Sequence, residues 1–100
     1  MKSMNGFLRQ MERKGYAVKT GDRLRGKSGT TYDLDVIVEK DGEERIILVK
    51  SKGREASIEI IQAFIIGIDL GAKPFYVTGV EVDAVGKRLL RDYKMSRLTA

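Results

Sequence analysis

A chain of 100 residues makes one ordinary domain and is too short for two stable cores. Its 42% hydrophobic and 33% charged residues match neither a membrane protein nor a disordered one. Cysteine and histidine are absent, which excludes disulfides, thiolate and imidazole metal sites, cysteine nucleophiles and serine–histidine catalysis, while the formal charge of +5 favours an anionic partner such as nucleic acid.

In chain order, Met4, Phe7, Leu8 and Met11 recur at helical spacing, and Gly15 stops the helix. This polar opening segment lacks the apolar run of a signal peptide, so an intracellular, cytoplasmic location is expected. Tyr16 to Lys19 reads as a short strand. Residues 20–30, with Gly21, Gly26 and Gly29 among Arg23, Arg25 and Lys27, read as a mobile polar loop. Tyr32 to Glu39 and Arg45 to Ser51 are strands joined by a turn at Asp41-Gly42, and their near-continuous apolar character predicts a sheet covered on both faces.

Glu55 to Leu70 is the strongest helix, with Ile58, Ile61, Phe64, Ile65 and Ile68 on a wide apolar stripe and Gly71 as its stop. That breadth predicts deep packing on the sheet, or packing on both sides with part of the stripe in a dimer. Glu59, Gln62, Gly67 and Asp69 interrupt the run, which falls short of the ~20 apolar residues that span a bilayer, so no membrane is expected as a partner. Pro74 precedes a strand at Phe75 to Thr78. Asp83 caps a last helix reaching about Tyr93, with Val85, Leu89 and Leu90 inward, and the tail has room for a final short strand. The expected fold is a single α/β domain over residues 1–100, a mixed sheet flanked by helices in the order α-β-β-β-α-β-α.

Asp33 and Asp35 share one face of their strand, and Lys50 and Lys52 share one face of the next. A two-residue turn sets Asp35 opposite Leu48, and a four-residue turn sets it opposite Lys50; either brings all four charges to one side, whereas a three-residue bulged turn separates them. Cross-strand ion pairing at a sheet end is one explanation for such charges. A hydrolytic site is the other: a carboxylate can hold a divalent metal, and a lysine can orient water or stabilise charge on a phosphate.

Tyr32-Asp33-Leu34-Asp35-Val36-Ile37, a turn, and Ile47-Leu48-Val49-Lys50-Ser51-Lys52-Gly53 resemble the core of the PD-(D/E)xK nuclease superfamily. The likeness is to its restriction-endonuclease-like and archaeal Holliday-junction-resolvase-like branches, and with Gly15-Tyr16, Ser28-Gly29 and the strand Phe75-Tyr76-Val77-Thr78 it covers most of the chain. The resemblance implies a restriction-endonuclease-like fold and a Mg²⁺- or Mn²⁺-dependent endonuclease, a hydrolase acting on duplex or branched DNA. It assigns the metal-binding aspartate to Asp35, the catalytic lysine to Lys52, an auxiliary acid to Asp33 and, weakly, an extra glutamate to Glu12.

Lys50 stands where that family places its second metal-binding acid. An ammonium group has no lone pair for magnesium and repels it. A degenerate nuclease, a relocated acid and an engineered charge change all fit. Asp33, Glu55 and Glu59 are the substitute ligands, and Gln62 is a further auxiliary candidate.

Lys19, Arg23, Arg25, Lys27 and Arg54 supply a basic surface suited to phosphate contacts. Lys87, Arg88, Arg91 and Lys94 make the last helix basic, a pattern solvation alone explains. Tyr16, Tyr32, Tyr76 and Tyr93, read as exposed, are too scattered to form a base-stacking platform. The expected function is a nuclease-family domain that binds DNA as a homodimer, with hydrolysis impaired by Lys50. The alternative is a catalytically inactive nucleic-acid-binding or homodimeric assembly module.

Overall fold

The computed structural model describes residues 2–41 and 44–100. The elements are α1 (Met4–Arg13), β1 (Ala17–Arg25), β2 (Thr31–Glu39), β3 (Ile46–Lys50), α2 (Ala56–Leu70), β4 (Lys73–Val77), α3 (Ala84–Asp92) and β5 (Ser96–Leu98). The order expected from the sequence is the order observed, with β5 as the short last strand. All strands join one mixed sheet, β1-β2-β3-β4-β5, antiparallel from β1 to β3 and parallel from β3 to β5. Short connections allow the antiparallel pairs, whereas the parallel pairs need α2 and α3 as crossovers.

Ser3 caps α1 by accepting the Gly6 N–H. The helix then lays Phe7 and Met11 on one face of the sheet, against Val36, Val38, Leu48 and Phe75. The other face belongs to α2 and α3, where Ile60 and Ala63 meet Tyr76, and Leu70 meets Ile37 and Ile47. Covering on both sides is why β2 and β3 are apolar almost without alternation. No helix among the described residues is long and apolar enough to cross a membrane.

Three local expectations are corrected. Residues 20–25 are strand rather than mobile loop, because β1 pairs with β2 as far as Arg25–Thr31. The remaining loop, residues 26–30, is fastened to the end of α2. There Asp69 accepts hydrogen bonds from the Ser28 N–H (2.8 Å), the Ser28 hydroxyl (2.6 Å) and the Tyr32 hydroxyl (2.7 Å). A Cβ on Gly26 would lie 2.0 Å from Asp69 Oδ2, so this approach requires glycine. Of the turn expected at Asp41-Gly42, Gly42 lies outside the described residues.

The second correction concerns α2. Its inward residues are Glu59, Ile60, Ala63, Gly67 and Leu70. Ile58, Ile61, Ile65 and Ile68 instead face solvent, 46%, 39%, 55% and 60% exposed. A helix apolar nearly all round gives periodicity no means of choosing its buried side. Packing made the choice: a Cβ on Gly67 would meet the Ala72 carbonyl and the Pro74 ring at 2.8 Å, so only glycine lets α2 approach β4 this closely. In α3, likewise, Val85 is exposed and Gly86 takes the inner position, where a Cβ would lie 2.5 Å from Val82.

Candidate functional site

β2 breaks its alternation beside Asp35. Val36 packs with the α1 cluster, yet Leu34 joins Ile37 in the cluster under α2. At the same level β1 pairing passes from Thr20–Val36 to Asp22–Leu34, leaving Gly21 opposite Asp35 unpaired and at φ +62°. Only glycine holds that left-handed conformation without strain. Pairing with β3 begins at Val36–Leu48 and runs toward the turn, so Asp35 is the first β2 residue beyond it.

This register has the parity of the three-residue turn. Extended by one residue, it sets Asp35 across from Val49, the parity that a regular hairpin would use to separate the aspartates from the lysines. The separation is partial. Asp33 turns to β1, where the Arg23 Nε donates to its Oδ1 at 2.8 Å with both side chains well exposed. Asp35 still meets Lys52, Nζ to Oδ1 3.8 Å, because β3 ends at Lys50 and the chain turns through Gly53 at φ +80°. At that length and exposure the pair contributes little to stability, about 0–1 kcal/mol.

Glu59 fixes that turn. It is 5% exposed in the first turn of α2, and its Oε1 accepts from the Ser51 and Tyr76 hydroxyls at 2.7 Å each. Its Oε2 accepts from the Lys52 backbone N–H at 2.6 Å. Burial pushes its pKa up, but the donors from Lys52, Tyr76, Ser51 and the Arg54 backbone outweigh burial and hold it below the usual carboxylate range. Tyr76, expected at the surface, is 1% exposed, and its pKa is raised by burial and by its bond to Glu59.

The result is a cleft of about 200 Å³ between the ends of β2 and β3 and one side of α2. Asp33, Asp35, Lys50, Lys52, Arg54, Glu59 and Gln62 line it. Glu55 begins α2 as an exposed cap without a side-chain hydrogen bond and does not line the cleft. Glu12 lies exposed on α1, across the sheet. Of the basic candidates, Arg54 reaches the cleft, Arg23 pairs with Asp33, and Lys19 pairs with Glu39 at 2.6 Å. Arg25 ends β1 beside Gly29, and Lys27 sits in the loop held by Asp69, its N–H donating to the Asp69 carbonyl at 3.0 Å.

A hard divalent cation takes several oxygen ligands at once. In this cleft Asp33 is engaged by Arg23, both oxygens of Glu59 are engaged by donors, and Lys50 is among the lining residues. Among the described residues no three acidic side chains converge to hold a metal. The donor set in this arrangement therefore does not fit Mg²⁺ or Mn²⁺. Lys50, Lys52 and Arg54 line the cleft together with Asp33, Asp35 and Glu59, and Arg23 offsets the charge of Asp33.

No protein-family model and no curated protein matches the chain. Its fold is similar to that in the crystal structure of AF1548, a protein of unknown function, with a TM-score of 0.71 and 18% sequence identity. The match covers 93% of this chain and 54% of that one, so the chain spans about half the length of this neighbour. At that identity the likeness is one of fold alone.

Proposed function

We propose that the domain is a nuclease-like module that binds duplex or branched DNA through the cleft beside α2, with phosphodiester hydrolysis impaired by Lys50. Three cations carry this reading: Lys50, Lys52 and Arg54 line one small cleft, where Asp33 is paired with Arg23 and Glu59 is held by the Ser51, Tyr76 and Lys52 donors. Phosphate contacts of this kind supply affinity without reading sequence, and each makes binding fall with salt. Anisotropy of labelled duplex and four-way-junction DNA tests the proposal. Binding at low salt is expected, and Lys52→Ala with Arg54→Ala should weaken it at every sequence and lower the log–log salt slope by about 2. Absence of low-salt binding, or equal binding by the double variant, would sink it.

The hydrolytic half has its own test. Lys50→Glu replaces an ammonium group with a carboxylate on a residue that lines the same cleft as Asp35. Cutting dependent on Mg²⁺ or Mn²⁺ is expected to appear in that variant and to vanish when Asp35→Ala is added. A Lys50→Glu protein that binds DNA yet cuts nothing would show that Lys50 is not what impairs hydrolysis.

A further inference from the structure

The outer surface of α2 differs in kind from those of the other helices. Its exposed residues are Ile58, Ile61, Gln62, Ile65 and Ile68, four isoleucines and one amide. α1 exposes Asn5, Arg9, Glu12 and Arg13 instead, and α3 exposes Lys87, Arg88, Arg91 and Asp92 beside Ala84 and Val85. The chain has 19 Lys and Arg residues, yet α2 has none across its 15 positions. Its acids, Glu59 and Asp69, are both turned to neighbouring loops. This face therefore offers no cation to phosphate and no charge that would repel another molecule of the same sign.

The spacing points to the occupant. Ile58, Ile61, Ile65 and Ile68 are separated by three, four and three residues, the a/d alternation of a helix–helix seam. Three-four-three reads the same in both directions. An antiparallel copy of α2 thus meets the seam in register, Ile61 facing Ile65 and Ile58 facing Ile68 across a two-fold axis. A two-fold interface needs such self-complementarity, and the antiparallel sense also sets the helix dipoles in opposition. We propose that a second copy of this chain covers α2, making a homodimer through an antiparallel pair of α2 helices.

A 15-residue helix is only about 22 Å long. A seam of that length falls below the typical ~800 Å² per partner, so the dimer is weak and reversible. Gln62 and Ile66 line the cleft from α2, and a two-fold through the seam places a cleft on each flank of it. The dimer stands or falls independently of DNA binding.

Sedimentation velocity from micromolar to millimolar protein reads it directly. The mass should rise from 11.2 kDa toward twice that value. Ile61→Glu with Ile65→Glu should weaken association at least about a hundredfold by placing charges in the seam. Both sites are exposed in the protomer, so circular dichroism should show an unchanged fold, and Val85→Glu on α3 should dimerise as the parent does. The chain has no cysteine, so single Ile61→Cys and Ile65→Cys variants can report direction. Mixed, they should crosslink to each other faster than either does to itself. A parent that stays at 11.2 kDa at millimolar concentration overturns the proposal. So does a double-glutamate variant that dimerises normally, or preferential self-crosslinking of each cysteine variant.

Discussion

The two ends of α2 solve one problem with one set of parts. At each end a carboxylate accepts a serine hydroxyl, a tyrosine hydroxyl and a backbone N–H: Ser51, Tyr76 and Lys52 for Glu59, and Ser28, Tyr32 and Ser28 again for Asp69. Each anchors a loop to the helix, one leaving β3 and one joining β1 to β2. The difference is depth. Glu59 is 5% exposed and one of its donors, Tyr76, is inside the core, whereas Asp69 works at a partly exposed helix end. Loss of the first anchor strands polar groups away from water, while water can replace much of the second.

Breaking the deep anchor should have the largest effect. Glu59→Ala leaves the Tyr76 and Ser51 hydroxyls and the Lys52 N–H without their acceptor, and a loss of about 3 kcal/mol is expected in urea unfolding. A loss under about 1 kcal/mol would mean that burial depth does not separate the two anchors. Gly26→Ala comes next. Its Cβ must displace the Asp69 carboxylate, and about 2 kcal/mol should be lost, with Ser28 amide exchange accelerating while the β3 amides keep their protection.

Asp69→Asn should cost least, because water can replace much of what the carboxylate accepts, and its signature lies in pH. Both carboxyls have folded pKa values lowered from the ordinary range, that of Asp69 by the Ser28 hydroxyl, the Tyr32 hydroxyl and the Ser28 N–H. A lowered folded pKa contributes stability that is complete above the unfolded value and is lost as pH falls through the folded one. The parent should therefore lose stability below about pH 4. Glu59→Gln should flatten that acid limb and Asp69→Asn should flatten it too, each followed by thermal melting across pH. An acid limb unchanged in both variants would remove the carboxylates from the account.

Much of the architecture is legible in the sequence, because β2, β3 and α2 carry long apolar patterns with glycine at the stops. Asp35 and Lys52 were also legible as a pair, and they lie 3.8 Å apart. What hid the rest is local backbone geometry. The unpaired, left-handed Gly21 disrupts the side-to-side alternation that regular strand reasoning assumes, so Asp33 goes to Arg23 rather than to the lysines. Glu59 read as a spare metal ligand. Its position amid Ser57, Ile58, Ile60 and Ile61 was the available signal, since an acid so flanked on a core helix must find donors. The Ser28–Asp69 anchor spans 41 residues and leaves no local pattern.

The sheet order has a consequence for how the chain assembles. Strands pair only with their neighbours in sequence, β1-β2-β3-β4-β5, so each can add to an existing edge as it becomes available. Contacts this sequential keep loop closures short and favour rapid folding. One closure is different: Ser3 bridges to Thr99, and the Met4 N–H donates to the Thr99 carbonyl at 2.8 Å. During synthesis the segment leading into α1 is made before β5, and until β5 emerges it lacks this partner.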